Sequence, residues 1–137
     1  MAEKTNAAAK QSPVVLAVDD DADILRIVEL LLERNGYSVK TAPSGKEALQ
    51  ILRNMQPALL ILDVTMPEMS GYDLCQVVKR DKRLQKVPVI FLTAKGTPQD
   101  YKTGHEMGAV IYMVKPFNAS RLLKVVQLLV PLPEAEP

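Results

Sequence analysis

Leu59-Leu60-Ile61-Leu62-Asp63 is a run of four large apolar residues that ends on an acid. A short continuous apolar run of this kind is the pattern of a strand covered on both faces, as in a parallel sheet flanked by helices. Three other runs share the pattern, and each also ends on a residue with a chemical use. Val14-Val15-Leu16-Ala17-Val18 leads into Asp19-Asp20, Val89-Ile90-Phe91-Leu92 into Thr93, and Ile111-Tyr112-Met113-Val114 into Lys115-Pro116. If the four are parallel neighbours, three carboxylates, a hydroxyl and an ammonium meet at one edge of a sheet. Open α/β sheets bind their ligands in the crevice beyond that edge.

Strand-like and helix-like periods alternate five times between a polar, Ala-rich start (residues 1–12) and a Pro/Glu-rich end (131–137). Tyr37-Ser38-Val39-Lys40-Thr41 alternates rather than running apolar, which suits an edge strand. Helix starts are marked by Asp21, by Ser44 with Glu47, by Ser70 with Asp73, by Thr97 before Pro98, and by Asn118. Asn35-Gly36 and Gly108 mark helix ends. Ile24, Leu25, Ile27, Val28, Leu31 and Leu32 form a broad apolar face on the first helix, and Leu122, Leu123, Val125, Val126 and Leu129 one on the last. Five such units imply right-handed crossovers and a parallel sheet with helices on both faces.

The 137 residues suffice for one domain with a real core. Seventeen Lys and Arg against sixteen Asp and Glu leave a net charge of +1, so bulk electrostatics favour neither nucleic acid nor an anionic membrane. The single cysteine, Cys75, excludes an internal disulfide framework and suits a reducing cytoplasm. There is no signal-peptide pattern, and no apolar stretch approaches the roughly 18 residues of a membrane span. His105, the only histidine, reads as a surface residue of a helix.

The acids at the strand ends carry the chemistry. Asp19, Asp20, Asp21 and Asp23 on their own read equally well as a capped, acid-rich helix start. Asp63 tips the reading, because an acid closing an apolar strand is costly unless solvated, paired or metal-bound. Two like charges about 4 Å apart repel by roughly 4 kcal/mol at an effective dielectric of about 20, so gathered acids call for a cation. Oxygen donors suit Mg²⁺ (or Mn²⁺), and no His/Cys cluster argues for zinc. Lys115 could be an ordinary surface lysine and Thr93 an ordinary strand residue. Beside the acids, the two instead complete a site for phosphoryl transfer to a carboxylate. Asp63 stands alone and is the expected nucleophile; Asp19 and Asp20 are placed to hold metal.

With these motifs the chain, over roughly residues 13–130, resembles the receiver domain of two-component response regulators. The resemblance rests on Val18-Asp19-Asp20, on Asp63-Val-Thr-Met-Pro67 followed by Ser70-Gly71, on Leu92-Thr93-Ala94, and on Tyr112-Met-Val-Lys115-Pro116-Phe117. It implies a flavodoxin-like (βα)5 fold with sheet order 2-1-3-4-5. It further implies that Asp63 accepts a phosphoryl group from a histidine kinase or histidine phosphotransfer protein. Asp19, Asp20, Asp63 and the backbone carbonyl of Thr65 would bind the metal, and Lys115 would contact the phosphoryl group ahead of a cis peptide to Pro116. Thr93 and Tyr112 would be the switch, Thr93 moving toward the phosphoryl group and Tyr112 turning inward. That movement would remodel the face made by the fourth helix, fifth strand and last helix, where a homodimer or an output partner would bind. The alternative reading of Tyr112 is a half-buried strand aromatic.

Val110-Ile111 stands where many members of this family carry an acidic pair used in dimer contacts, so an apolar surface for a partner is the expectation here. Thr65 and Lys95 occupy positions that in the family tune hydrolysis of the aspartyl phosphate. No output module fits in the seven residues after Val130, so the chain is expected to be a stand-alone receiver or the front of a longer regulator. Three other readings compete. An aspartate-dependent phosphohydrolase would use Asp19 rather than Asp63 and add a cap domain. A flavin mononucleotide binder would need a phosphate loop where Asp20-Asp21 stands. The third is a receiver-like binding module that is not phosphorylated.

Overall fold

The computed structural model describes residues 12–133. The polar, Ala-rich start over residues 1–12, which reads as a tail, lies, apart from Ser12, outside the described residues, as does the 134–137 end of the C-terminal segment. Ten elements alternate: β1 (Val14–Val18), α1 (Ala22–Glu33), β2 (Ser38–Ala42), α2 (Gly45–Leu52), β3 (Leu59–Leu62), α3 (Gly71–Arg80), β4 (Val89–Thr93), α4 (Pro98–Glu106), β5 (Ile111–Val114) and α5 (Ala119–Leu129). The strands form one parallel sheet in the order β2-β1-β3-β4-β5, so the fold is the flavodoxin-like one. Among the described residues no helix is long and apolar enough to cross a membrane.

Alternate strand residues point to opposite faces, and each face is buried in its own core. Leu16, Leu60, Leu62, Val89 and Phe91 pack with Ala48 and Leu52 of α2 and with Leu74, Cys75 and Val78 of α3. Val15, Ala17, Leu59, Ile61, Ile90 and Leu92 pack with Leu25, Val28 and Leu32 of α1 and with Leu122 and Val126 of α5. The central strands β3 and β4 are buried throughout, as their unbroken apolar runs require. The alternating segment is the edge strand β2.

The expected caps are present. Asp21, Ser44, Ser70, Thr97 and Asn118 each accept a hydrogen bond from a backbone N–H of the first turn. Ser70 with Asp73 and Thr97 with Asp100 close full reciprocal boxes, so aspartate serves where glutamate is usual. Gly36 and Gly108 take positive φ just past α1 and α4. One expectation needs correction: Ile27 is not on the buried face of α1 but is 48% exposed, next to Leu30 at 42%. Successive helical residues are about 100° apart, so Ile27 faces away when its neighbour Val28 faces the sheet. Beyond α5, Leu132 packs back against the second core, and Tyr37 Oη donates to the Val130 carbonyl at 2.8 Å.

Candidate functional site at the carboxyl edge of the sheet

The register of the sheet assembles the site. Val18 pairs with Leu62, so Asp19 and Asp63 leave adjacent strands side by side. Thr93 pairs with Val114, which sets Lys115 just beyond Thr93. Main-chain bonds tighten the edge: Asp63 N–H donates to the Val18 carbonyl at 2.9 Å and Lys115 N–H to the Thr93 carbonyl at 2.8 Å. The Lys115–Pro116 peptide is cis, as the resemblance implies.

Asp19 and Asp63 are buried, with 3% and 5% of their surface exposed, while Asp20 is open to solvent. One oxygen from each lies within 4.8 Å of the others, an arrangement that fits a divalent cation with hard oxygen ligands. Lys115 Nζ donates to Asp19 Oδ2 at 2.6 Å and lies 3.6 Å from Asp63 Oδ2. Asp19 Oδ1 accepts from the Asp21 N–H at 2.9 Å, and Asp63 Oδ1 from the Thr65 N–H at 3.3 Å.

Asp19 and Asp63 thus share one ammonium with Asp20 close by, and three negative charges against one positive do not balance. Burial pushes the Asp19 carboxyl up to about 6, against the pull of the hydrogen bonds from Lys115 and Asp21, and the charge of Asp63 adds to the rise. Burial alone would pull Lys115 down, but its contacts with Asp19 and Asp63 outweigh it and hold the ammonium above its ordinary value. The ammonium is oversupplied with negative charge and the carboxylates are short of positive charge. A second cation would correct both.

Thr93 is fully buried, and its Oγ1 accepts from the Lys95 N–H at 3.4 Å, a bond that leaves its own O–H uncommitted. Tyr112 is turned in, 5% exposed, with its hydroxyl donating to the Lys95 carbonyl at 2.9 Å. The main chain of Lys95 therefore touches Thr93 at one end and Tyr112 at the other, while its side chain is exposed. Thr65 is exposed beside Asp63.

Other residues at this edge carry no strand-end signal in the sequence. Gly71 N–H donates to the Val64 carbonyl at 2.9 Å, and a Cβ on Gly71 would stand 2.8 Å from the Asp63 carbonyl carbon. Only glycine lets α3 start this close to Asp63. Gly104, inside α4, faces the Tyr112 ring, and an isolated glycine in a helical pattern is itself a hint of close packing. Cys75 is buried, its thiol is pushed up by burial, and its Sγ lies 3.3 Å from the Met107 carbonyl. His105 is exposed, and its side chain forms no contact with the acids. A cavity of about 290 Å³ between α2 and the loop after β3 is lined by Lys46, Leu49, Arg53 and Met69, and none of the three acids borders it.

Comparison with known proteins matches residues 15–127 to the response regulator receiver domain. A probable transcriptional regulator, ycf27, of Porphyra purpurea is 46% identical over 112 residues, covering 82% of this chain and 45% of that protein. The DNA-binding dual master transcriptional regulator RpaA of a Synechocystis strain is 38% identical over 117 residues, covering 85% of this chain and 48% of that protein. The chain thus spans less than half the length of these curated relatives. Among solved structures, the chemotaxis protein CheY4 of Vibrio cholerae superposes with a TM-score of 0.82 at 35% identity, covering 87% of this chain and 99% of that one.

Proposed function

The chain belongs to the response regulator receiver domain family, and from that premise we propose that it is a phosphorylation-dependent switch whose phosphoacceptor is Asp63. The observation that carries the reading is the shared ammonium. Lys115 lies between the carboxylates of Asp19 and Asp63 in a cluster of three acids that is two positive charges short of balance, the charge of one divalent cation.

In this reading a carboxylate oxygen of Asp63 attacks the phosphorus of a phosphohistidine on a kinase or phosphotransfer protein. The P–N bond breaks as the O–P bond forms, and the histidine leaves with the bonding pair and takes up a proton. Lys115, held close by Asp19, meets the charge on the phosphoryl oxygens. Asp19, Asp20, Asp63 and the Thr65 carbonyl would hold Mg²⁺ (or Mn²⁺), whose contribution is to neutralise the same oxygens. The uncommitted O–H of Thr93 donates to a phosphoryl oxygen. That movement pulls on the Lys95 peptide and hence on Tyr112.

The face of α4, β5 and α5 then controls a partner, a second copy of the chain or a downstream domain by a shift between two packings. The make-up of α4 supports this. Gly104 is the one residue of that helix that is buried, so little apolar contact ties it to the sheet. Val110, 46% exposed, adds apolar surface beside β5.

The test is incubation with Mg²⁺ and a small phosphodonor such as acetyl phosphate, followed by an assay for a hydroxylamine-sensitive label. Wild type should take up one phosphoryl group and Asp63→Asn none. Normal labelling of Asp63→Asn would overturn the assignment.

A further inference from the structure

The Tyr112 ring sits in a seat made by three elements. Phe91 of β4 lies 6.0 Å away between ring centroids, and Tyr101 of α4 lies 4.9 Å away. Tyr72 of α3 meets Phe91 edge-on at 5.1 Å. A cleft of about 220 Å³ bounded by Tyr101, Tyr112, Phe117 and Arg121 opens beside the seat and gives the ring room to swing out.

Two features of the seat act in opposite directions. The first is Gly104. A Cβ there would stand 2.8 Å from Tyr112 Cε1, closer than real Cβ contacts come. Glycine is the poorest helix former after proline, and Gly104 has no positive φ that would call for it. The ring supplies the steric reason for glycine in mid-helix. The second is the Tyr72 hydroxyl, which is buried and has no hydrogen-bond partner among the described residues. It lies near enough to the Tyr112 hydroxyl for its polar and electrostatic influence to add to the upward push that burial gives that phenol, but outside hydrogen-bond geometry, and the Tyr112 O–H is given to the Lys95 carbonyl. A buried hydroxyl without a partner destabilises whichever packing buries it.

We propose that Gly104 and Tyr72 are positioning residues that set the balance between the buried and swung-out placements of Tyr112. Gly104 admits the ring, and the Tyr72 hydroxyl opposes its entry. The signalling consequence, though not the seat itself, rests on the switch reading above.

The test uses the full chain labelled with [¹³C]tyrosine. The Tyr112 ring resonance is assigned with Tyr112→Phe, and its exposure is read from broadening by a soluble paramagnetic agent. Gly104→Ala, which puts a better helix former in the helix, should expose the ring. Adding Tyr72→Phe to Gly104→Ala should return the ratio of buried to exposed ring toward wild type by about tenfold. A Gly104→Ala protein whose ring stays as protected as in wild type would overturn the notch. Equal exposure in the single and double variants would overturn the role of the Tyr72 hydroxyl. The rate of labelling of Asp63 by acetyl phosphate is followed in the same proteins. If the ring responds but that rate is constant, the seat stands and its link to the switch fails; if Asp63 labels but the ring is indifferent, the inference fails alone.

Discussion

Asp19 is almost wholly buried, yet to hold a cation it must be ionised. Its carboxyl is raised from 3.8 in its unperturbed state to about 6 in the fold. Between these values the folded chain binds more protons at Asp19 than the unfolded chain does. The contribution of this group is therefore fully present below about 4 and is lost as pH rises through about 6. In metal-free buffer the melting temperature of wild type should fall across that window relative to Asp19→Asn, as followed by circular dichroism. Mg²⁺ at neutral pH should raise the melting temperature of wild type and have little effect on the variant. Glu68, in the loop after β3, offers a second residue-scale test, because it holds φ at 68° without being glycine. Left-handed backbone costs a residue with a Cβ about 1–2 kcal/mol, part of which glycine returns as unfolded-state entropy. Glu68→Gly should thus gain about 0.5–1 kcal/mol in urea denaturation. Asp19, Asp63, Thr93 and Lys115 were legible in the sequence because each closes an apolar run. Gly104 and Tyr72 were not. Their roles come from contacts among α3, β4, α4 and β5 that no local period encodes.

At the scale of elements, α3 matters most to the site, since its first residue packs on the Asp63 backbone. Ser70 and Asp73 fix that start through reciprocal bonds of 3.1 Å each. Ser70→Ala should cost about 1 kcal/mol of stability and slow labelling of Asp63 as the helix start loosens. Thermal melts and the acetyl phosphate assay read the two effects separately. The helix boundaries were legible because caps and stop glycines are local chemistry. The buried face of α1 was only partly so: six apolar residues mark a wide stripe, but Leu25, Val28 and Leu32 alone are fully covered. How far a helix turns into its neighbours depends on the sheet beneath it, which its own sequence does not specify. The sparse burial of α4 was likewise hidden, since a weak apolar pattern does not say which face the helix presents.

Across the whole molecule, the sheet separates two cores that meet only through the strands. Phe91 is fully buried at the centre of one of them, against Tyr72 and Tyr112. Phe91→Ala should cost about 3–5 kcal/mol, a large share of the 5–15 kcal/mol that holds a domain of this kind together, as urea denaturation would read. That the fold is α/β with helices on both faces followed from apolar patterning. The strand order did not: it came with the family resemblance, because local pattern does not say which way a crossover turns. The Lys95 peptide has a bearing on the molecule's history and design. Any residue but proline offers the N–H that reaches Thr93, and every residue offers the carbonyl that Tyr112 holds. The exposed side chain at 95 is therefore free to drift or be replaced with both main-chain hydrogen bonds intact. Under the proposed switch, the residue chosen at 95 would set how long the signal lasts while the peptide beneath it carries the transmission, two traits inherited or engineered separately at one position.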